Sequence, residues 1–266
     1  MKIRILTSSS SGNCILLWDN TSSCIVDCGC SVSYAKRHLL DNNISFSSLN
    51  GACITHVHRD HINPIFFRAL LKQNVPVFCS TTAHPYLPTH SPATNLSVVT
   101  YAPFVPFFVG TMKITPFPVT HDSPGGCCGF SIEVNAKRKM RKITIATDIG
   151  KIEPATADYF TNSDIVIIES NHDIAMLASD SIPQFLKTRI RTSHLSNDEC
   201  AEILEKALQK STIKPEAIIL AHISTDRNSK TLARQCIGDR LRRIGHESIP
   251  LIVSHDHCAG EIVELH

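Results

Sequence analysis

The 266-residue chain predicts an α/β fold, a four-layer αββα sandwich in which two sheets pack face to face with helices outside, as a single domain over residues 1–266. Three observations predict it. Short strand patterns crowd the first half and alternate with Pro-rich turns. After Asp148 the pattern changes to strand followed by helix. Helical stretches are scattered through both halves, so both sheets need an outer cover.

Taken in order, KIRILT, CILLW and CIVDC read as three strands, separated by SSSSGN and a second turn, with Gly29 ending the third. A helix is expected from Val32 to Leu40, capped by Ser31. ACIT (52–55) is a short strand that runs straight into THVHRDHINP. Pro64 then stands at the favoured first position of a helix, IFFRALLK. VPVFC, LSVVT, MKITPFPV, GFSIEV and KITIAT follow as strands. DIVIIES is a buried strand, and SNDECAEILEKALQK carries a capping signal (Ser196 or Asn197, then Glu199) into an amphipathic helix. EAIILAH, TLARQCIGDRLRRIG and IPLIVS repeat the alternation.

Composition excludes several classes. With 42% hydrophobic and 19% charged residues the chain is neither disordered nor membrane-spanning, and no apolar run approaches a bilayer-spanning length. The apolar stretch in MKIRILTSSS is too short for a signal peptide, so a cytoplasmic location is expected. Eleven cysteines without a CxxC pair read as buried reduced thiols. A net charge of +2 neither announces nor excludes a nucleic-acid partner, since a local basic face would suffice.

Chemistry concentrates at His56, His58, Asp60 and His61. Alternate residues of an extended loop point the same way, so His56 and His58 can reach one ion. Asp60 and His61, where the loop turns toward Pro64, project differently and could serve a second. Imidazole and carboxylate suit zinc, and also manganese or iron. Further ligands are needed, and three strands end on one: His121 after PVT, Asp148 in TIATDIG and His222 in AIILAHIS. His194 precedes a helix N-terminus, where a phosphate oxygen is favoured. Asn171, His172 and Ser196 are expected to face the substrate or support the ligands. The tail SHDHC (His255, His257) imitates HxH but lacks companions and reads as a surface feature.

Together, SSSGNC, CIVDCG, HVHRDH, ESNHD, HLSN and LAHIS make the chain resemble the metallo-β-lactamase fold superfamily, in its YycJ/WalJ-type branch related to ribonuclease Z-like nucleases. The resemblance implies two divalent metal ions. His56, His58 and His121 would hold the first, Asp60, His61 and His222 the second, and Asp148 would bridge. His194 would face the scissile phosphate and help the leaving group. Ser193 stands where this branch usually has glycine, and Gly126-Cys127-Cys128-Gly129 is also unusual, although the strand after it is expected to survive. Only 26 residues lie between His121 and Asp148 and 45 between Asp148 and His194. That leaves room for neither a ribonuclease Z arm nor a β-CASP insertion.

The expected function is a metal-dependent phosphodiesterase acting on nucleic acid, DNA from an end rather than RNA, through a hydroxide held between two metals, with Asp60, Asp148 and His194 catalytic. Hydrolysis of a thioester, lactone or lactam on the same centre is the alternative. A metal-holding binding protein without turnover is the third reading.

Overall fold

Leu16 and Leu17 point to opposite faces of one strand, and so do Ile167 and Ile168, and Ile219 and Leu220. A strand whose neighbouring side chains are both buried must lie between two covered faces, which explains the continuous apolar runs. The computed structural model describes residues 1–88, 97–136, 139–254 and 259–265. Among them are two seven-stranded sheets.

The first sheet holds β1 (Lys2–Ser9), β2 (Gly12–Trp18), β3 (Ser23–Val26), β4 (Gly51–Cys53), β5 (Val77–Ser80) and β6 (Val98–Tyr101). The second holds β7 (Phe107–Val109), β8 (Met112–Val119), β9 (Cys127–Ala136), β10 (Lys139–Ala146), β11 (Ile165–Glu169), β12 (Ala217–Ala221) and β13 (Leu251–Val253). The chain then returns to the first sheet as β14 (Val263–Glu264), antiparallel to β1. Strands β3 to β6 pair in parallel, as do β10 to β13, so loops at their carboxyl ends gather on one side of each sheet.

Helices α1 (Val32–Leu40) and α2 (Pro64–Lys72) cover the first sheet, where Leu39, Phe66 and Leu70 pack on Leu16 and Ile25. On the second lie α3 (Thr156–Phe160), α6 (Asn197–Lys210) and α7 (Lys230–Arg243), with Phe160, Leu204 and Ile237 packed on Ile168 and Leu220. Between the sheets Ile3, Leu17 and Val26 meet Phe130, Ile143, Ile167 and Ile219. Three apolar interfaces separate four layers, as the sequence predicts.

The predicted Ser31 cap holds, its side chain accepting from Tyr34 N, and Pro64 opens α2 as expected, with Asn63 found as its cap. The expected six-residue turn at SSSSGN is shorter, because β1 and β2 pair as far as Ser9 and Gly12 and leave only Ser10 and Ser11 between them. Sequence periodicity also misses α3, α4 (Ile174–Ser179) and α5 (Gln184–Ser193). Five or six residues are too few to display a helical period, and α5 buries only Ser193, so it has no apolar stripe to find. The described cysteines are free and most are buried. No helix among the described residues is long and apolar enough to cross a membrane. His255 and His257 lie outside the described residues.

Helix α6 opens with a reciprocal capping box. Ser196 Oγ accepts from Glu199 N at 3.3 Å, and Glu199 Oε2 accepts from Ser196 N at 2.8 Å. Ser196→Ala should cost about 1 kcal/mol, lowering the calorimetric melting temperature by roughly 2–4 °C, whereas Ser196→Asp should hold within about 1 °C of the parent.

Candidate metal centre

The loop between β4 and α2 explains how four neighbouring side chains separate. His56 and His58 follow the strand in an extended path. A tight turn then closes, with His61 N and Ile62 N both donating to His58 O at 3.0 and 2.8 Å. That turn swings Asp60 and His61 away from the first pair. The loop is pinned beneath by the residues after β3: Cys28 N donates to His61 O at 2.8 Å, and Asn63 N to Cys28 O at 3.0 Å. From the other side the β1–β2 hairpin reaches in, with Asn13 N donating to Asp60 O at 2.7 Å. Gly29 lies where these three segments converge.

Two triads result. His56 Nε2 and His121 Nε2 each lie 3.1 Å from His58 Nδ1. Asp60 Oδ2 lies 3.5 Å from both His61 Nε2 and His222 Nε2. Asp148 sits between them, its Oδ2 3.1 Å from His61 Nε2 and its Oδ1 3.7 Å from His121 Nε2 and 3.6 Å from His222 Nε2. Each group has its ligating atoms within 4.8 Å of one another, a spacing suited to one ion apiece.

Most of these histidines turn one nitrogen inward because the other is engaged behind it. His61 Nδ1 donates to Asp27 Oδ2 (2.7 Å), His121 Nδ1 to Ser193 O (2.8 Å) and His222 Nδ1 to Glu169 Oε1 (2.8 Å). His56 Nδ1 is 3.1 Å from Thr55 Oγ1. When neutral, such rings present inward nitrogens with lone pairs that face one another and the carboxylate oxygens. Asp148 Oδ2 is buried and has no hydrogen-bond partner among the described residues. Lone pairs converging on a buried carboxylate fit a divalent cation, and the N/O donor set suits zinc, manganese or iron.

The electrostatics agree. Burial, then the proximity of His61, holds His56 well below the ordinary imidazole value; burial and His121 also lower His58. For His222, burial opposes charge, but Asp148, Asp60 and Glu169 outweigh it and raise the pKa to about 10. His61 rises for the same reason, through Asp148, Asp27 and Asp60. Without metal, protons on His61 and His222 answer the surrounding carboxylates.

Asp27, Asp148 and His222 all adopt left-handed backbone conformations, with φ of 61°, 59° and 54°. Such strain clusters at strand ends that must aim a side chain. Glu169, at the end of β11, is the centre's main buried support. Its Oε1 accepts from both His194 Nδ1 and His222 Nδ1 at 2.8 Å, while Oε2 accepts from Ile149 N and Leu195 N.

The seven expected ligands and His194 thus come together, and Asn171 joins them at the wall of a cleft of about 370 Å³. His172 and Ser196 do not line this cleft. They pair with each other through a backbone bridge and line a separate cavity with Arg191 and Glu202. Ser193 needs no glycine: it ends α5 without positive φ, and its carbonyl holds His121. Strand β9 starts at Cys127, so the unusual GCCG stretch does leave it intact. Sequence reading named Asp27 and Glu169 only within CIVDCG and ESNHD. A carboxylate at the carboxyl end of a strand, the last residue of β11 for Glu169 and the first after β3 for Asp27, is the signal for both.

A four-layer sandwich with paired His/Asp triads at the strand ends defines a metallo-hydrolase architecture. The chain belongs to the β-lactamase superfamily domain family, whose model matches residues 24–223. It is 26% identical to exodeoxyribonuclease YycJ of Bacillus anthracis over 246 residues, covering 91% of this chain and 89% of that one. Over 251 residues it is 29% identical to exodeoxyribonuclease WalJ of Streptococcus pneumoniae, covering 90% and 88%. Among solved structures, the metallo-β-lactamase fold protein YhfI from Bacillus subtilis superposes with a TM-score of 0.72 at 14% identity, over 98% of this chain and 99% of that one. The short form of human tRNase Z gives 0.62 at 15%, again over 98% and 99%.

Two outcomes are expected. A Cβ on Gly29 would lie 1.7 Å from Asp60 O and 2.8 Å from Asn13 N, both backbone atoms. Gly29→Ala should therefore destabilise by about 1–3 kcal/mol or more and lower the metal content measured by plasma mass spectrometry. Filling the Asp60–His61–His222 position with zinc at pH 7 should release protons, because His61 and His222 start protonated. Calorimetric titration in two buffers of different ionisation enthalpy counts them, and uptake should strengthen as pH rises.

Proposed function

We propose that this chain is a metal-dependent phosphodiesterase cutting nucleic acid, a DNA exonuclease in particular. The carrying observation is that two triads joined at Asp148 open, beside His194, into a cleft lined by Arg59, Arg189 and Arg227. In this reading His56, His58 and His121 would hold one divalent ion and Asp60, His61 and His222 the other, with Asp148 available to both. Zinc is the first candidate, manganese or iron the next. Bound there, such ions supply Lewis acidity and a nucleophile at neutral pH.

The protein's own groups do the rest. Asp148 fixes the separation and orientation of the two positions. The arginines anchor phosphate oxygens, a task their planar guanidinium groups suit. His194 gives its Nδ1–H to Glu169 and leaves Nε2 for the departing oxygen. Burial opposes a charge on His194, but Glu169 and Asp148 outweigh it and raise its pKa, so a proton is in place to donate. Glu169, brought down to about 2 against its burial by His194 and His222, stays ionised and keeps both rings aimed. The exodeoxyribonuclease relatives support DNA cleaved from an end. A carbonyl substrate such as a thioester, lactone or lactam would need neither the arginines nor a proton from His194.

The test is digestion of end-labelled single- and double-stranded DNA and RNA by metal-loaded protein, beside a thioester substrate. His194→Ala should keep its metal and lose about 10²–10⁴ in turnover on the phosphodiester. Undiminished cleavage by that variant would remove the role of His194. Hydrolysis of the thioester alone would replace the whole reading, and undiminished cutting by Asp60→Asn would remove the second metal.

A further inference from the structure

Helix α5 is unusual for what it does not do. It has ten residues, only Ser193 is buried, and none of the three apolar cores takes a side chain from it. Core packing therefore does not account for its sequence. It carries Lys187, Arg189 and Arg191 and no acidic residue. It also holds Phe185 at 70% exposure, the most exposed large apolar side chain among the described residues.

Position makes this combination meaningful. Arg189 and Ile190 line the cleft, and the helix ends at His194. Phe185 and Arg189, four residues apart, share one helical face. That face leads away from His194, reaching Phe185 after about 13 Å at helical rise. Arg189 gives its Nε to Asp122 at 2.6 Å, and its two Nη groups make no hydrogen bond among the described residues. Arg59, on the metal loop of the other sheet, also lines the cleft and makes no ion pair among the described residues.

We propose that α5 is the track for an unpaired strand of nucleic acid, with Phe185 a platform on which a base stacks and Arg189 and Arg59 gripping the phosphates that flank the cut. The proposal rests on the nuclease reading and adds a strand preference to it. Cationic groups fit the phosphates. The exposed ring fits a base only when that base is free of its neighbours, because a base inside a duplex has both faces covered. Aromatic platforms beside a basic groove bind single strands in this sequence-tolerant way. Phe185 would thus select for single-stranded DNA, or for an end that has frayed.

The test measures KM and kcat of the metal-loaded full chain on a fluorescein-labelled 20-nucleotide single-stranded DNA and on a blunt duplex of the same sequence. Phe185→Ala should raise the single-strand KM about fivefold or more and move the duplex value less. Phe185→Trp should restore the parent KM, while Phe185→Leu, apolar but without a π face, should not. An unmoved KM in Phe185→Ala, equal changes on the two substrates, or full activity in Phe185→Leu would overturn the track while leaving nuclease activity standing. Parent protein that cuts neither DNA nor RNA would overturn the nuclease reading, and this proposal with it.

Discussion

The contact on which the centre depends is the one Asp148 makes with both triads. Its two oxygens reach His61 Nε2 at 3.1 Å and His121 and His222 Nε2 at 3.6–3.7 Å. His56, His58, Asp60 and His61 are delivered by the first sheet, and His121, Asp148 and His222 by the second. Among the described residues the two sheets share no strand, and beside the site hydrogen bonds such as Cys128 N to Thr55 O and His222 N to Ser8 Oγ join them. Their spacing is set by the apolar layer in which Ile3, Leu17 and Val26 meet Phe130, Ile143 and Ile167. A shift of one sheet over the other would move half of the ligands as a body. The hydrophobic core is thus the ruler of the site as well as the source of stability.

Around that contact the protein has placed a second ring of fixed acceptors. Asp27 receives His61, Ser193 O receives His121, and Glu169 receives both His194 and His222. Each sets which ring nitrogen carries hydrogen and leaves the other as a lone pair. Glu169 does more, since its second oxygen takes two backbone amides, Ile149 N next to Asp148 and Leu195 N next to His194. One buried carboxylate therefore ties the loops after β10 and β12 to the junction between α5 and α6. The arrangement is tolerable without metal only because burial, which penalises a charge on His61 and His222, is outweighed by the carboxylates around them.

Much of this was legible in the chain. HVHRDH announced a ligand cluster by its density, and the single residues at the ends of ITPFPVT, ITIAT and IILAH repeated one theme. The capping signal at Ser196 placed α6 correctly. What stayed hidden has physical reasons. Glu169 acts on His194 and His222, 25 and 53 residues away, and no spacing rule links them. The SSSGN hairpin gave no sign that Asn13 would hold Asp60 through both its backbone and its side-chain amide, because 47 residues separate the two. His172 sits one residue from Asn171 in a pattern rich in functional types, yet neighbouring residues after the strand diverge, and it faces another cavity. Helix α5 was invisible to periodicity because it has almost nothing to bury.

Delivering the ligands from two sheets also orders events in the life of the chain. Neither half of the sandwich holds either triad complete, so an ion at either position would need ligands from both sheets. In the proposed reading the sheets would dock first, with protons on His61 and His222, and ions entering through the cleft would then displace those protons. Loading of the proposed centre would then be a step separable in time from folding.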